Sequence, residues 1–341
     1  MKKSYSGKII QIEFKSRVLR YNPLKDPYVR KFPVYLPQGY SLDKKYPVIF
    51  LLSGFTGTGN SNLNYSFLNE DIEQRLNRLI ASGKSKEFIV VMPDCMTKYG
   101  GSQYINSSAT GQYEDYILEI VSMIDENFST LPEPENRIVC GKSSGGYGAL
   151  SLSMRNPDVF GLTYSIAGDM YFEYCYLPDF PRFVSAIEQF GRGHEGVLNF
   201  IKSELNYEQP KSPSFHTILN IIGMSACYSP NKAGRIKHGY DFDLPFDINT
   251  GDLNHKVFSK WIEKDPVRMV NTLKKNLKAL KLVALDAGIH DQFNLNIGAR
   301  VLSEKLSNLG INHVHSEFND GHFNIQYRYD NMFGIISEYL K

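Results

Sequence analysis

At 341 residues the chain is long enough to bury a sizeable core without metals or disulfides, which removes small stapled scaffolds. Hydrophobic residues make up 42% and charged residues 22%, with 27 glycines and 16 prolines, so disordered, collagen-like and low-complexity classes lose their compositional support. Lys and Arg number 38 against 36 Asp and Glu, and a net charge of +2 gives no general field for a polyanion, which argues against nucleic acid as a partner.

The N-terminal segment opens basic, but Lys8, Glu13 and Lys15 prevent an apolar signal core from forming. No run of eighteen apolar residues occurs anywhere, so no membrane span is expected and a cytoplasmic location is the default expectation. Three strands are expected over residues 8–14, 31–36 and 47–52, separated by Pro- and Gly-containing turns. The apolar run Val48-Ile49-Phe50-Leu51-Leu52 ends in Ser53-Gly54-Phe55-Thr56-Gly57, and helical spacing follows over about 64–81. The alternation repeats with a strand at 88–92, a helix over 113–128 and a short apolar strand at 137–140. A helix over about 145–155, stopped at Asn156-Pro157, leads into a strand at 160–167.

Between 168 and 276 the alternation breaks into mixed apolar, aromatic and Gly/Pro-containing stretches, which read as a cap-like insertion. It resumes with a strand at 280–285, a helix over 296–309, a strand at 312–318 and a last helix over 322–340. Continuous apolar strands alternating with helices predict an α/β fold, a mostly parallel sheet covered on both faces, as a single domain over 1–341 with the insertion at 168–276. The four cysteines, Cys95, Cys140, Cys175 and Cys227, share no C-x-x-C spacing and read as free thiols.

The sharpest chemical signal is Gly141-Lys142-Ser143-Ser144-Gly145-Gly146, a G-x-S-x-G between a predicted strand and a predicted helix. Small residues two before and two after the serine suit a turn too tight for a Cβ, and the turn exposes the Ser143 hydroxyl. The following helix aims its N-terminal amides at the same point, so the N–H of Ser144 can meet developing negative charge.

A serine hydroxyl needs a base near neutral pH, and histidine suits that task. Among eight histidines, His322 in Asn319-Asp320-Gly321-His322 follows the last strand and is the favoured base. His313 and His315 share a strand spacing that could hold a metal, but no third ligand lies nearby, so no metal or cofactor is expected. The carboxylate that holds the histidine should follow the 280–285 strand, where Asp286 and Asp291 both qualify and spacing alone does not separate them. The chain order serine, aspartate, histidine is that of an α/β-hydrolase. The second oxyanion donor is expected from the loop after the 47–52 strand, at the N–H of Phe55, with Thr56 as a neighbour able to serve instead. A phosphate-loop reading of Gly54, Gly57 and Gly59 finds no Lys-Ser/Thr pair and no G-x-G-x-x-G.

With these residues the chain resembles the putative-esterase family of α/β-hydrolases, which includes esterase D (S-formylglutathione hydrolase), feruloyl and tributyrin esterases and the mycolyltransferases. Four blocks carry the resemblance: residues 50–58, residues 141–150, Asp286-Ala287-Gly288-Ile289-His290-Asp291-Gln292-Phe293, and Gly321-His322. The resemblance implies Asp291 as the triad acid, with Asp286 bracing the loop or standing as an alternative acid, and places an oxyanion donor at the backbone of Phe55. Lys142 and Ser144 depart from the His and Met that often flank the family nucleophile. Trp261 with Asp265-Pro266-Val267 resembles a Trp and Asp-Pro found before the acid strand in some of these esterases.

The resulting expectation is a serine carboxylesterase acting through an acyl-enzyme on small-molecule esters of small or aromatic acids. A thioesterase or acyltransferase using the same triad and a non-catalytic binding scaffold stand as alternatives. The run Tyr171-Phe172-Glu173-Tyr174-Cys175-Tyr176 is a candidate lid that gives an aromatic or apolar acyl pocket.

Overall fold

Runs that are apolar at every position become the interior strands. In the computed structural model, which describes residues 5–67, 69–205, 211–212 and 214–340, eight strands form one sheet. They are β1 (Lys8–Lys15), β2 (Val29–Leu36), β3 (Val48–Leu52), β4 (Ile89–Val91), β5 (Arg137–Lys142), β6 (Leu162–Ile166), β7 (Leu282–Gly288) and β8 (Val314–Phe318). Their order in space is β1-β2-β4-β3-β5-β6-β7-β8. Strand β2 runs antiparallel to both β1 and β4, and every other pairing is parallel. Strand β1 is an edge, and it carries Lys8, Gln11, Glu13 and Lys15, polar side chains that discourage pairing with another chain.

The pleat sends successive side chains to opposite faces. Ile49 and Leu51 therefore join Val90, Ile138 and Cys140 in one core, while Val48, Phe50 and Leu52 join Ile89, Val91 and Val139 in another. Helix α1 (Ile72–Ala81) covers the first face, and α2 (Tyr113–Asn127) covers the second with Tyr113, Tyr116, Ile117, Ile120 and Ile124. Helix α1 starts eight residues later than the spacing over 64–81 predicts. Asp71 accepts from the Gln74 amide at 2.8 Å and Gln74 accepts from the Asp71 amide at 3.2 Å, a reciprocal cap that fixes the first turn there.

Helix α3 (Ser144–Arg155) follows β5 directly. After β6 come α4 (Phe172–Cys175), α5 (Asp179–Ile187), α6 (Gly193–Ser203), α7 (Phe215–Tyr228), α8 (Lys232–His238) and α9 (His255–Ile262). Trp261, fully buried, centres this region with Tyr176, Phe180 and Tyr228 at ring distances of 5.4–5.8 Å, and its indole N–H donates to Ser229 Oγ at 2.9 Å. These side chains are continuous with the first sheet core, so the helices share the interior of the sheet.

Helices α10 (Pro266–Thr272) and α11 (Lys274–Ala279) behave differently from the rest of 168–276. Val267, Val270 and Leu277 pack with Leu150, Met154, Val283 and Leu302, which makes these helices part of the layer that covers the sheet beside α12 (Leu295–Asn308). The last helix, α13 (Arg328–Tyr339), returns Met332, Phe333 and Ile336 to the first core. All four cysteines are buried and free. Among the described residues no helix is long and apolar enough to cross a membrane.

Candidate active site

The turn after β5 is built by exclusion of side-chain volume. A Cβ on Gly141 would lie 2.5 Å from the Leu52 carbonyl oxygen, and one on Gly145 would lie 2.2 Å from the same atom, so only glycine fits on either side of Ser143. Ser143 itself sits at φ 57°, ψ −127°, a sparsely populated conformation for a residue with a side chain, with a cost of about 1–3 kcal/mol. Neighbours hold it there: the Ser143 amide donates to Ile166 O at 3.0 Å, and its carbonyl accepts from the Tyr147 amide at 2.9 Å. The strain lifts the hydroxyl off the end of β5 and starts α3 directly behind it.

Chain segments after β7 and β8 meet this hydroxyl. His322 Nε2 lies 3.0 Å from Ser143 Oγ, and His322 Nδ1 lies 2.8 Å from Asp291 Oδ2. The Asp291 side chain is fully buried, and its Oδ1 accepts from the Phe293 amide at 2.8 Å. A carboxylate facing Nδ1 keeps the imidazole proton on that nitrogen and leaves Nε2 as the acceptor for the serine hydroxyl. The His322 backbone is fixed as tightly as its ring: its amide donates to Gln292 Oε1 at 2.8 Å, and its carbonyl accepts from Lys142 Nζ at 3.1 Å. Phe293 and Phe323 stand edge-on to the ring at 4.8 and 5.4 Å.

This fixation explains why no helix begins at 322. The expected last helix would fold the His322 backbone into its own first turn. Its groups are instead spent on Gln292 and Lys142, Asn324 turns at φ 58°, and α13 starts only at Arg328.

Asp286 is engaged elsewhere. Both its oxygens accept from Arg328, at 2.9 and 3.0 Å, and Oδ1 also accepts from Ser316 Oγ at 2.9 Å. It ties β7, β8 and the start of α13 together and is not among the hydrogen-bond partners of His322. His313 bonds Ser303 Oγ at 2.7 Å and Ile311 O at 3.0 Å.

The loop after β3 lies against the serine turn, since a Cβ on Gly54 would stand 3.6 Å from Ser143 Cβ. The Thr56 amide donates to Gly100 O at 2.9 Å and the Gly57 amide to Gly54 O at 2.9 Å, while no described acceptor takes the Phe55 amide. Phe55 and Ser144 both line the cavity over Ser143, a space of about 150 Å³.

The remaining wall of that cavity includes Asp169, His216 and Asn220, which the motifs did not single out, and Cys175 and Tyr176 from the candidate lid run. Of the aromatic run 171–176, Cys175 and Tyr176 reach the cavity, whereas Tyr171 and Tyr174 pair with each other at 4.4 Å and Tyr174 is exposed. The wall is therefore of mixed polarity, where an aromatic or apolar one is the sequence expectation. Burial pushes the Asp169 carboxyl up, opposed by hydrogen bonds from Tyr176, Gln103 and Ser144. Burial also pushes the Lys142 ammonium down, opposed by the Asp291 carboxylate, and lowers His216. The one signal that could have found Asp169 is its place just beyond the end of a parallel strand, where α/β sheets gather their ligands.

Comparison with known proteins adds the following. A family model described as putative esterase matches residues 28–327. An endo-1,4-beta-xylanase/feruloyl esterase of Xylanibacter ruminicola is 31% identical over 147 residues, which are 40% of this chain and 19% of that protein, so the match spans about a fifth of the relative's length. Among solved structures, a ferulic acid esterase aligns with a TM-score of 0.62 at 18% identity, covering 98% of this chain and 99% of the other. An S-formylglutathione hydrolase from Agrobacterium tumefaciens aligns with a TM-score of 0.60 at 17% identity, covering 99% and 98%. At such identities the likeness is one of fold, and the fold is that of an α/β-hydrolase.

Proposed function

The chain belongs to the putative esterase family, and on that premise we propose that it is a serine carboxylic-ester hydrolase working through an acyl-enzyme. Ser143 Oγ attacks the ester carbonyl while His322 Nε2 takes the hydroxyl proton. Asp291 holds the imidazole in its productive tautomer and stabilises the imidazolium that forms. The tetrahedral oxyanion lies between the amides of Phe55 and Ser144, the latter at the N-terminus of α3 where the helix dipole adds to the stabilisation. Collapse expels the alcohol, protonated by His322. Water activated by the same nitrogen then adds to the acyl carbonyl, releasing the acid and restoring the serine.

The observation that carries this reading is the unbroken relay of 3.0 and 2.8 Å from Ser143 through His322 to Asp291. Small or aromatic acyl groups fit the cavity best, because Phe55, Phe293, Phe323 and His216 line it with flat rings. The test is turnover of p-nitrophenyl acetate and butyrate. Ser143→Ala is expected to lower kcat by on the order of 10⁴ or more, and equal rates for wild type and variant would refute the assignment.

A further inference from the structure

Asp169 is a carboxylate that the proposed mechanism does not use, and it is held beside the nucleophile by costly means. It is 8% exposed and faces the cavity over Ser143. Ala167 at φ 43° and Gly168 bring it there. A Cβ on Gly168 would stand 2.7 Å from Gly146 C, so the turn is pressed onto the first turn of α3. Three donors converge on one of its oxygens: Tyr176 Oη at 2.9 Å, Gln103 Nε2 at 3.0 Å and Ser144 Oγ at 3.3 Å all reach Oδ2. Gln103 is delivered by a second strained turn, with Gln103 and Tyr104 both at positive φ, 49° and 54°. Oδ1 accepts no hydrogen bond from any described residue.

Two physical facts conflict at this site. An oxygen that faces a cavity open to water becomes costly once a bound group strips that water without supplying a donor, and a negative charge close to where an oxyanion develops opposes the reaction. A substrate that brings its own donor to Oδ1 removes the first penalty, and an ammonium donor offsets the charge as well. An all-carbon acyl group would desolvate Oδ1 and leave it without a partner.

Resting on the esterase reading above, we infer that Asp169 is a specificity-determining residue whose free oxygen receives a hydroxyl or ammonium donor on the acyl group, within a few atoms of the ester carbonyl. The short reach follows from sequence adjacency: Ser144, which touches Asp169, is the neighbour of Ser143. Tyr176 and Gln103 position the carboxylate and do not themselves read the substrate.

The test uses three phenyl esters of nearly equal shape: 3-methylbutanoate, 3-hydroxybutanoate and 3-aminobutanoate, each rate divided by that of alkaline hydrolysis of the same ester. Wild type is expected to favour at least one donor-bearing ester over 3-methylbutanoate by about tenfold or more in kcat/KM, because a site that leaves a buried polar group unpaired rejects the analogue lacking the donor. Asp169→Leu should abolish the ratio. Asp169→Asn keeps an acceptor and removes the charge, so it should spare a hydroxyl preference and erase an ammonium preference, which tells the two donors apart. Turnover of all three esters by wild type with no donor preference overturns the inference whether or not the variants fold, as does a preference that survives in a folded Asp169→Leu. Turnover of none of them, nor of the p-nitrophenyl esters, would instead be the failure of the esterase reading.

Discussion

The two walls of the cavity over Ser143 are made by opposite means. On the sheet side, the turns after β3, β5, β7 and β8 are set by backbone: glycines at 141 and 145 that admit no Cβ, a strained Ser143, and a His322 backbone pinned at both amide and carbonyl. On the cap side, Tyr176 is placed by large rings packed around Trp261, and His216 and Asn220 come from α7, whose Tyr228 joins the same cluster. Backbone-set geometry is sharp and local, so it places reacting atoms. Ring packing is cooperative and tolerant, so it shapes what those atoms meet.

The sharpest way to break the sheet side is Asp291→Asn. The amide turns the His322 tautomer the wrong way, and kcat should fall by on the order of 10⁴ while the fold survives, measured by ester turnover alongside thermal melting. On the cap side, Trp261→Ala should cost about 3–5 kcal/mol of stability by leaving a cavity among Tyr176, Phe180 and Tyr228, read from denaturant unfolding. Its effect on kcat/KM should vary with the acyl group, whereas the loss in Asp291→Asn should be uniform across esters. A smaller effect sharpens the contrast between the two neighbouring aspartates. Arg328→Met strips the partner from the fully buried Asp286 side chain and should lower stability by about 3 kcal/mol with kcat changed less than tenfold. A kcat loss as deep as that of Asp291→Asn would give Asp286 a direct part in the reaction.

What could be read from the sequence follows the same division. Gly-x-Ser-x-Gly and the apolar strands announce themselves because their signature lies within five or six residues, even though the atom that excludes a Cβ at 141 and 145 is the distant Leu52 carbonyl oxygen. Spacing does not separate Asp286 from Asp291, since both follow the strand expected at 280–285, although in the structure Asp286 lies within β7. The choice depends on which carboxylate Arg328 captures, a residue more than forty positions further on. Likewise Thr56 stands as an alternative to Phe55 until Gly100 O is seen to take the Thr56 amide. Apart from the place of Asp169 just beyond a parallel strand, Asp169 and Gln103 carry no mark in the sequence, because their meaning lies in a contact 66 residues apart between two strained turns. The division of 168–276 between aromatic helices and the sheet-covering pair α10 and α11 was hidden for a similar reason. Short apolar helices look alike until Asp265 accepts from the Tyr171, Phe172 and Val267 amides and fixes where one group ends and the other starts.

The claim beneath all of this is that Ser143 is made reactive by His322. Exposure to a fluorophosphonate probe, followed by mapping of the modified peptide, tests it most directly. The account predicts covalent labelling of Ser143 in the wild type and its near-complete loss in His322→Gln with the fold intact. An unlabelled wild type, or labelling of Ser143 that persists undiminished without the imidazole, would contradict it.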